Sequence, residues 1–243
     1  MKATGIIPAR YDSSRFKGKL LEKIKGKPLL WYVYMKAKQS KLLNRVIIAT
    51  DSKKIKRAMS AYDAEVVMTS SEAVTGTDRI AEVTESISSD IIVNIQGDEP
   101  LIDPALIDKL IQALIDDPGI LIATAAFKVN NCTGLNDPNV VKVVMCEDDF
   151  ALYFSRSIIP YPRNDDSCYY FKHLGIYAYR RGFLLTFSTL PPSDLERIES
   201  LEQLRALEYG YRIKVVESEF DSIGVDTPED LERVRKIMEN NVA

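Results

Sequence analysis

The segment Ile91-Ile92-Val93-Asn94-Ile95 is apolar at all but one position, and an extended run of that kind turns apolar side chains to both of its faces. Strands like this belong to parallel sheets with helices packed on each side. The surrounding chain keeps the same rhythm: apolar runs at Thr4–Pro8, Arg45–Thr50, Glu65–Thr69, Asp90–Gln96 and Leu121–Val129 alternate with helical patterns at Pro28–Ser40, Ser52–Tyr62, Asp78–Ser88 and Pro104–Asp116. The alternation predicts a three-layer α/β fold around a mainly parallel sheet. After Val129 the pattern changes to strand-like stretches at Val140–Met145, Ala151–Ser155 and His173–Tyr179, followed by helical patterns at Phe183–Thr189 and Asp194–Tyr209. A last strand, Arg212–Glu217, and a helix over Thr227–Glu239 return to the first rhythm, the helix being announced by Thr227-Pro228-Glu229-Asp230. The expected organisation is one α/β layer over 1–129 and 212–243, interrupted by a smaller inserted layer over 130–211.

The 243 residues suffice for one large domain or two small ones, and 46% hydrophobic with 28% charged places them among globular proteins. A net charge of −3 gives no overall field to draw the molecule to a polyanion, so nucleic acid is not expected as a partner. The local cluster Lys17, Lys19, Lys23, Lys25 and Lys27 suits a small phosphorylated ligand instead. No apolar run approaches the ~20 residues of a spanning helix, and Met1-Lys2-Ala3-Thr4-Gly5 lacks a signal-peptide core, so no membrane insertion and a cytoplasmic location are expected. Cys132, Cys146 and Cys168 have no CxxC spacing and read as ordinary buried or half-buried thiols.

Candidate chemistry gathers after the strands. The first apolar run ends in Ile7-Pro8-Ala9-Arg10, followed by the polar, basic loop Tyr11–Lys19, at the carboxyl edge where open α/β sheets bind ligands. Arg10, Arg15 and Lys19 there can neutralise a triphosphate, although the loop matches neither GxxxxGK[ST] nor GxGxxG. Gln96-Gly97-Asp98-Glu99-Pro100 brings Asp98 to the same edge, and Asp226 precedes the last helix; two such carboxylates can hold a magnesium ion against phosphates. Taken alone, Gly-Asp-Glu-Pro is also a turn, and Asp226 a helix-entry residue. Thr75-Gly76-Thr77-Asp78-Arg79 is a frame for a ribose or base, or only a helix cap. Alternation along the strand over 172–179 predicts His173, Gly175, Tyr177 and Tyr179 on one face.

Taken in order, Ile7 through Tyr11 with Ser13–Lys19, Ala49-Thr50-Asp51, Gly76–Arg79, Asn94–Pro100, Val140–Val144, Ala151–Arg156, Lys172–Arg180, Leu201–Arg205 and Gly224–Leu231 resemble the 3-deoxy-manno-octulosonate (Kdo) cytidylyltransferases, the CMP-Kdo synthetases. The similarity runs nearly end to end. It implies a Rossmann-like fold of the nucleotide-diphospho-sugar transferase type with an inserted sugar-binding and dimerisation layer, and a magnesium-dependent transfer of CMP from CTP to the anomeric hydroxyl of Kdo. Pyrophosphate is released, and the CMP-Kdo formed serves lipopolysaccharide assembly. By the same resemblance Ala9, Arg10, Ser14, Lys19, Thr75, Gly76, Asp78 and Arg79 fall at CTP positions. Gln96, Arg156, Arg163, His173, Tyr177, Glu202 and Gln203 fall around the sugar acid, Asp98 and Asp226 on the metal, and the assembly is a homodimer.

Those residue types fit an in-line displacement at the α-phosphorus, which rests on positioning and charge neutralisation and needs no covalent nucleophile. Arg156 or Arg163 is expected to grip the carboxylate of Kdo. The chain departs from the commonest family pattern at Lys17 and Leu20, where proline is usual, and at Ala73-Val74-Thr75, which replaces a segment often reading His-x-Ser. A more mobile first loop and a less secure nucleotide choice are the consequences. An 8-amino Kdo analogue or another acidic sugar such as a sialic acid remains an alternative acceptor. A non-catalytic nucleotide or sugar sensor is the alternative from a different class, disfavoured by the presence of both acids.

Overall fold

The computed structural model describes residues 1–12, 16–73, 75–130, 134–163 and 169–240. Ser14, Arg15, Cys132 and Cys168 lie outside them; Cys146 is half-buried. The chain forms two compact units, Met1–Asp108 with the segment from Ser222 onward, and Lys109–Asp221.

The first unit is built on four parallel strands in the order β6-β1-β4-β5, where β1 is Ala3–Pro8, β4 Arg45–Thr50, β5 Val66–Met68 and β6 Ile91–Asn94. Ile6 and Ile7, and likewise Ile47 and Ile48, are fully buried although neighbours along a strand face opposite ways. Both faces of this sheet are therefore covered, as the apolar runs predicted, and each such side chain contributes roughly 1.5–3 kcal/mol of burial. Between β1 and β4 come a short hairpin of β2 (Lys23–Ile24) and β3 (Lys27–Pro28), turned by Lys25 and Gly26 at φ 46° and 80°, and helix α1 (Leu29–Ala37). Helix α2 (Lys53–Ser60) starts at the Ser52 cap, and α3 (Gly76–Glu85) at a Thr75–Asp78 capping box. Helix α4 (Pro104–Asp116) crosses the division between the units, and α8 (Pro228–Asn240) returns to the first one.

The second unit has a mixed five-stranded sheet, β11-β7-β10-β8-β9: β7 is Ile122–Val129, β8 Lys142–Met145, β9 Ala151–Ser155, β10 Tyr170–Arg180 and β11 Ile213–Ser218. Only β7 and β11 run parallel. This pairing takes both into the second unit, so the units divide after Asp108 and Asp221 where the sequence rhythm suggested Val129 and Tyr211. Helix α5 (Arg181–Thr189) contributes Phe183 and Phe187, stacked with Tyr179 of β10.

The helix expected over Asp194–Tyr209 is two, α6 (Asp194–Glu199) and α7 (Gln203–Glu208), broken where Ser200 turns to φ 52°. The break has a chemical cause. Arg156 donates from Nε to the Glu199 carbonyl at 2.6 Å and from Nη2 to the Ser200 carbonyl at 3.1 Å, which satisfies the open carbonyls at the end of α6. In return the Glu199 carboxylate accepts from Ser155 Oγ at 2.6 Å and Arg156 N–H at 2.9 Å.

Candidate functional site

In the first unit the ends of β1 and β6 approach so closely that a Cβ on Gly97 would stand 3.0 Å from the Pro8 carbonyl oxygen. Only glycine fits there, and its absence of side chain leaves the strand ends open as one rim. The 3₁₀ turn Lys19–Leu21 follows Gly18, whose φ of 75° any other residue would hold with strain. A cleft of about 470 Å³ results, lined by Pro8, Arg10, Asp12, Lys19, Leu20, Gly76, Gln96, Gly97 and Asp98. The strand ends, the described part of the basic loop and the start of α3 thus meet at one rim.

Lys19 organises the rim. Its buried ammonium donates to Asp98 Oδ2 at 2.6 Å and to Asp226 Oδ1 at 2.8 Å. Burial alone would lower the pKa of this ammonium; the Asp98 and Asp226 carboxylates reverse that and hold it above its ordinary 10.5. The segments carrying the acids are also clipped together by backbone, Val225 N–H donating to the Asp98 carbonyl at 2.9 Å, and by Ser222 Oγ to the Glu99 carboxylate. Asp226 is not the cap of α8. That task falls to Thr227 and Asp230, whose side chains and backbones bond reciprocally at 2.9 Å and 3.2 Å.

The remaining nucleotide candidates divide by what they already hold. Arg10 is exposed, its guanidinium donating to the Ala73 carbonyl at 3.3 Å, and Ala9 is buried. Thr75 and Asp78 spend their side chains on the capping box, so what they present to an anion is the N-terminus of α3. Arg79 is fully buried beneath that terminus, donating to Asp51 Oδ2 at 2.9 Å, Thr69 Oγ1 and the Ser70 carbonyl. It supports the loop from behind. Of the departures from the family pattern, Lys17 is exposed and paired with Asp12 at 2.8 Å, while Leu20 is buried. Val74 lies outside the described residues.

In the second unit, His173 and Tyr177 share a face of β10, with ring centroids 5.5 Å apart, although the strand bulges between Leu174 and Tyr177. The bulge adds an even number of residues, which preserves the face. His173 is half-buried against the Phe154 ring at 5.0 Å, and burial pushes its pKa down to about 3, so the imidazole is neutral. Burial, together with the Glu202 carboxylate, raises the Tyr177 phenol well above 10, a hydrogen bond to Thr124 working the other way. Gln203, at the start of α7, is buried with no hydrogen-bond partner for Nε2 among the described residues. Leaving such a donor unmade costs about 1–3 kcal/mol, which a ligand oxygen would recover.

Arg156 does not stand ready as a carboxylate fork. It ties Glu199, Ser200 and, at 2.7 Å, the Pro138 carbonyl together, while its own carbonyl accepts from the buried Lys142 ammonium. Arg163 is exposed. Sequence reasoning missed Lys142, Glu199 and Thr124. A lysine inside Val-Val-Lys-Val-Val was the available signal for the first, since a buried charge needs oxygens around it, and it finds the Leu135 and Val140 carbonyls at 3.0 Å and 2.6 Å.

The family resemblance implies magnesium. No group of three or more His, Cys, Asp and Glu side chains gathers among the described residues. Two carboxylate oxygens converging on one cationic position nevertheless match an ion that takes one or two protein oxygens and fills its shell with water and phosphate. The donor set fits. No helix among the described residues is long and apolar enough to cross a membrane.

Residues 4–215 match the cytidylyltransferase family. The 3-deoxy-manno-octulosonate cytidylyltransferase of Solibacter usitatus is 50% identical over 99% of this chain and 96% of its own. That of Syntrophotalea carbinolica is 51% identical over 96% and 97%. A solved structure of CMP:2-keto-3-deoxy-manno-octonic acid synthetase, complexed with CTP, superposes with a TM-score of 0.96 at 44% identity over the whole of both chains.

Proposed function

The chain belongs to the cytidylyltransferase family, among its 3-deoxy-manno-octulosonate members, and from that premise we propose how its residues transfer CMP from CTP to Kdo with release of pyrophosphate. The observation that carries the reading is the convergence of Asp98 and Asp226 on Lys19 beside a cleft lined by Arg10, Gln96 and the start of α3. A pure sensor has no need of two acids at the transferred phosphate.

The basic loop and the N-terminus of α3 neutralise and orient the triphosphate, so that its α-phosphorus meets the attacking oxygen in line. Asp98 and Asp226 would hold magnesium, which when bound would polarise the α-phosphate and ease loss of the proton from the sugar hydroxyl. Lys19, drawn to the acids by charge in this structure, supplies a cation for the negative charge that develops on the departing pyrophosphate. Arg79 keeps the start of α3 in place without touching substrate. In the second unit, the neutral His173, the Tyr177 phenol, Glu202 and the unpartnered Gln203 amide recognise the hydroxyls of the sugar acid, and the exposed Arg163 its carboxylate. Ser14, expected at the nucleotide, lies outside the described residues. The family resemblance further supports a homodimer, and the use of CTP supports a cytoplasmic reaction.

Purified protein with CTP and magnesium should release pyrophosphate on addition of Kdo, followed by coupled phosphate detection. Comparison with the 8-amino analogue and a sialic acid fixes the acceptor; no release with any of the three would leave the sensor reading in its place.

A further inference from the structure

The β10 bulge conceals a hydroxyl with an assignable proton. Thr124 of β7 is fully buried, and its Oγ1 lies 2.8 Å from the Ile176 carbonyl oxygen, 3.3 Å from that of Leu174 and 3.0 Å from His173 Nε2. A threonine hydroxyl owns one proton, and carbonyl oxygens only accept. The proton goes to Ile176, whose carbonyl the bulge withdraws from the β7–β10 ladder. Nε2 must then bring its own hydrogen to Thr124.

The imidazole is neutral at pH 7 and carries one proton. With that proton on Nε2, Nδ1 is left as an acceptor, and no group among the described residues bonds to it. The Phe154 and Tyr177 rings at 5.0 Å and 5.5 Å keep the imidazole in this orientation. We propose that Thr124 is a positioning residue: it fixes His173 as the Nε2–H tautomer, so that Nδ1 offers an acceptor to a hydroxyl of the sugar acid and rejects its carboxylate. This deepens the sugar-acid reading of the second unit and rests on it. A ligand bearing both hydroxyls and a carboxylate is thereby oriented by one neutral lone pair.

His173 is the sole histidine, so long-range proton–nitrogen correlation spectra of labelled protein report its tautomer without ambiguity. The wild type and Thr124→Ser should both show the proton on Nε2. Thr124→Val should show a mixture of tautomers and raise KM for Kdo about tenfold, the weight of one neutral hydrogen bond, with KM for CTP unchanged. Thr124→Ser should restore the sugar KM. A wild-type proton on Nδ1 would overturn the proposal, as would a Thr124→Val protein that keeps a single Nε2–H tautomer or loses CTP and Kdo equally. Should the valine variant not fold, the wild-type and serine spectra still decide. The two readings fail separately: absence of turnover with Kdo removes the functional one, whereas the tautomer is measured on ligand-free protein.

Discussion

Replacing Lys19 by methionine keeps the length of the side chain and removes the one ammonium that stands between Asp98 and Asp226. The two oxygens it holds are no farther apart than its two contacts laid end to end, about 5.4 Å. At an effective dielectric of about 20 two carboxylates at that distance repel by about 3 kcal/mol. The Asp98 and Asp226 side chains are 28% and 51% exposed, so solvent screens part of this, leaving about 1–2 kcal/mol. For a chain of this size that lowers Tm by about 2–8 °C in chelator. The sign with pH follows from the raised pKa of Lys19: the stabilisation is complete at neutral pH and is lost only as pH climbs past 10.5. Magnesium should then raise the Tm of the variant more than that of the wild type, because no ammonium has to leave the acids first. Adding Asp98→Asn to Lys19→Met should return part of the loss, since it removes one of the repelling charges. Scanning calorimetry in chelator and in magnesium is the assay. A variant that melts with the wild type in chelator, or identical magnesium shifts in both proteins, would refute the reasoning.

Asp98→Ala should cut pyrophosphate release by about a hundredfold or more while circular dichroism stays unchanged, and near-normal turnover would remove the metal assignment. Arg79→Leu should destabilise by about 3–5 kcal/mol in denaturant titration, because a fully buried guanidinium leaves Asp51 and Thr69 unpaired; a loss under about 1 kcal/mol would show the pair to be idle. His173 contributes stability in the opposite pH range from Lys19. Its folded pKa of about 3 lies below the ordinary 6.5, so the unfolded chain takes up a proton that the folded one refuses, and stability falls as pH drops from 6.5 toward 3. The difference between the wild type and His173→Gln should change by up to about 1.4 kcal/mol per pH unit there, and parallel curves would contradict the burial of the ring.

The parallel layer was readable because it obeys a local rule: a strand apolar at successive positions must be covered twice, and β1, β4 and β6 are. The rim was readable for the same reason, since the ends of such strands are where loops must emerge, and Asp98 and Lys19 sit on those loops. What the pattern could not show was which polar groups a folded neighbour would claim. Arg156 looked like a ligand fork and is consumed by carbonyls at the end of α6, which also cuts a helix that periodicity drew as continuous. Arg79, placed at a CTP position by the family resemblance, is fully buried and paired with Asp51. Thr124, between alanines in an apolar strand, gave no signal, because its role exists only once a bulge on another strand frees a carbonyl. The division between units likewise follows from strand pairing at long range, which apolar rhythm does not encode.

The first unit is discontinuous, its closing segment beginning at Ser222 after the whole of the second unit has been threaded through. A ribosome that has released only the amino-terminal portion has made the anion loop and Asp98 but not Asp226, so the emerging polypeptide lacks one of the two acids on Lys19 until its final stretch appears. A polypeptide cut short before Ser222 would therefore keep Asp98 and lose the second carboxylate at Lys19.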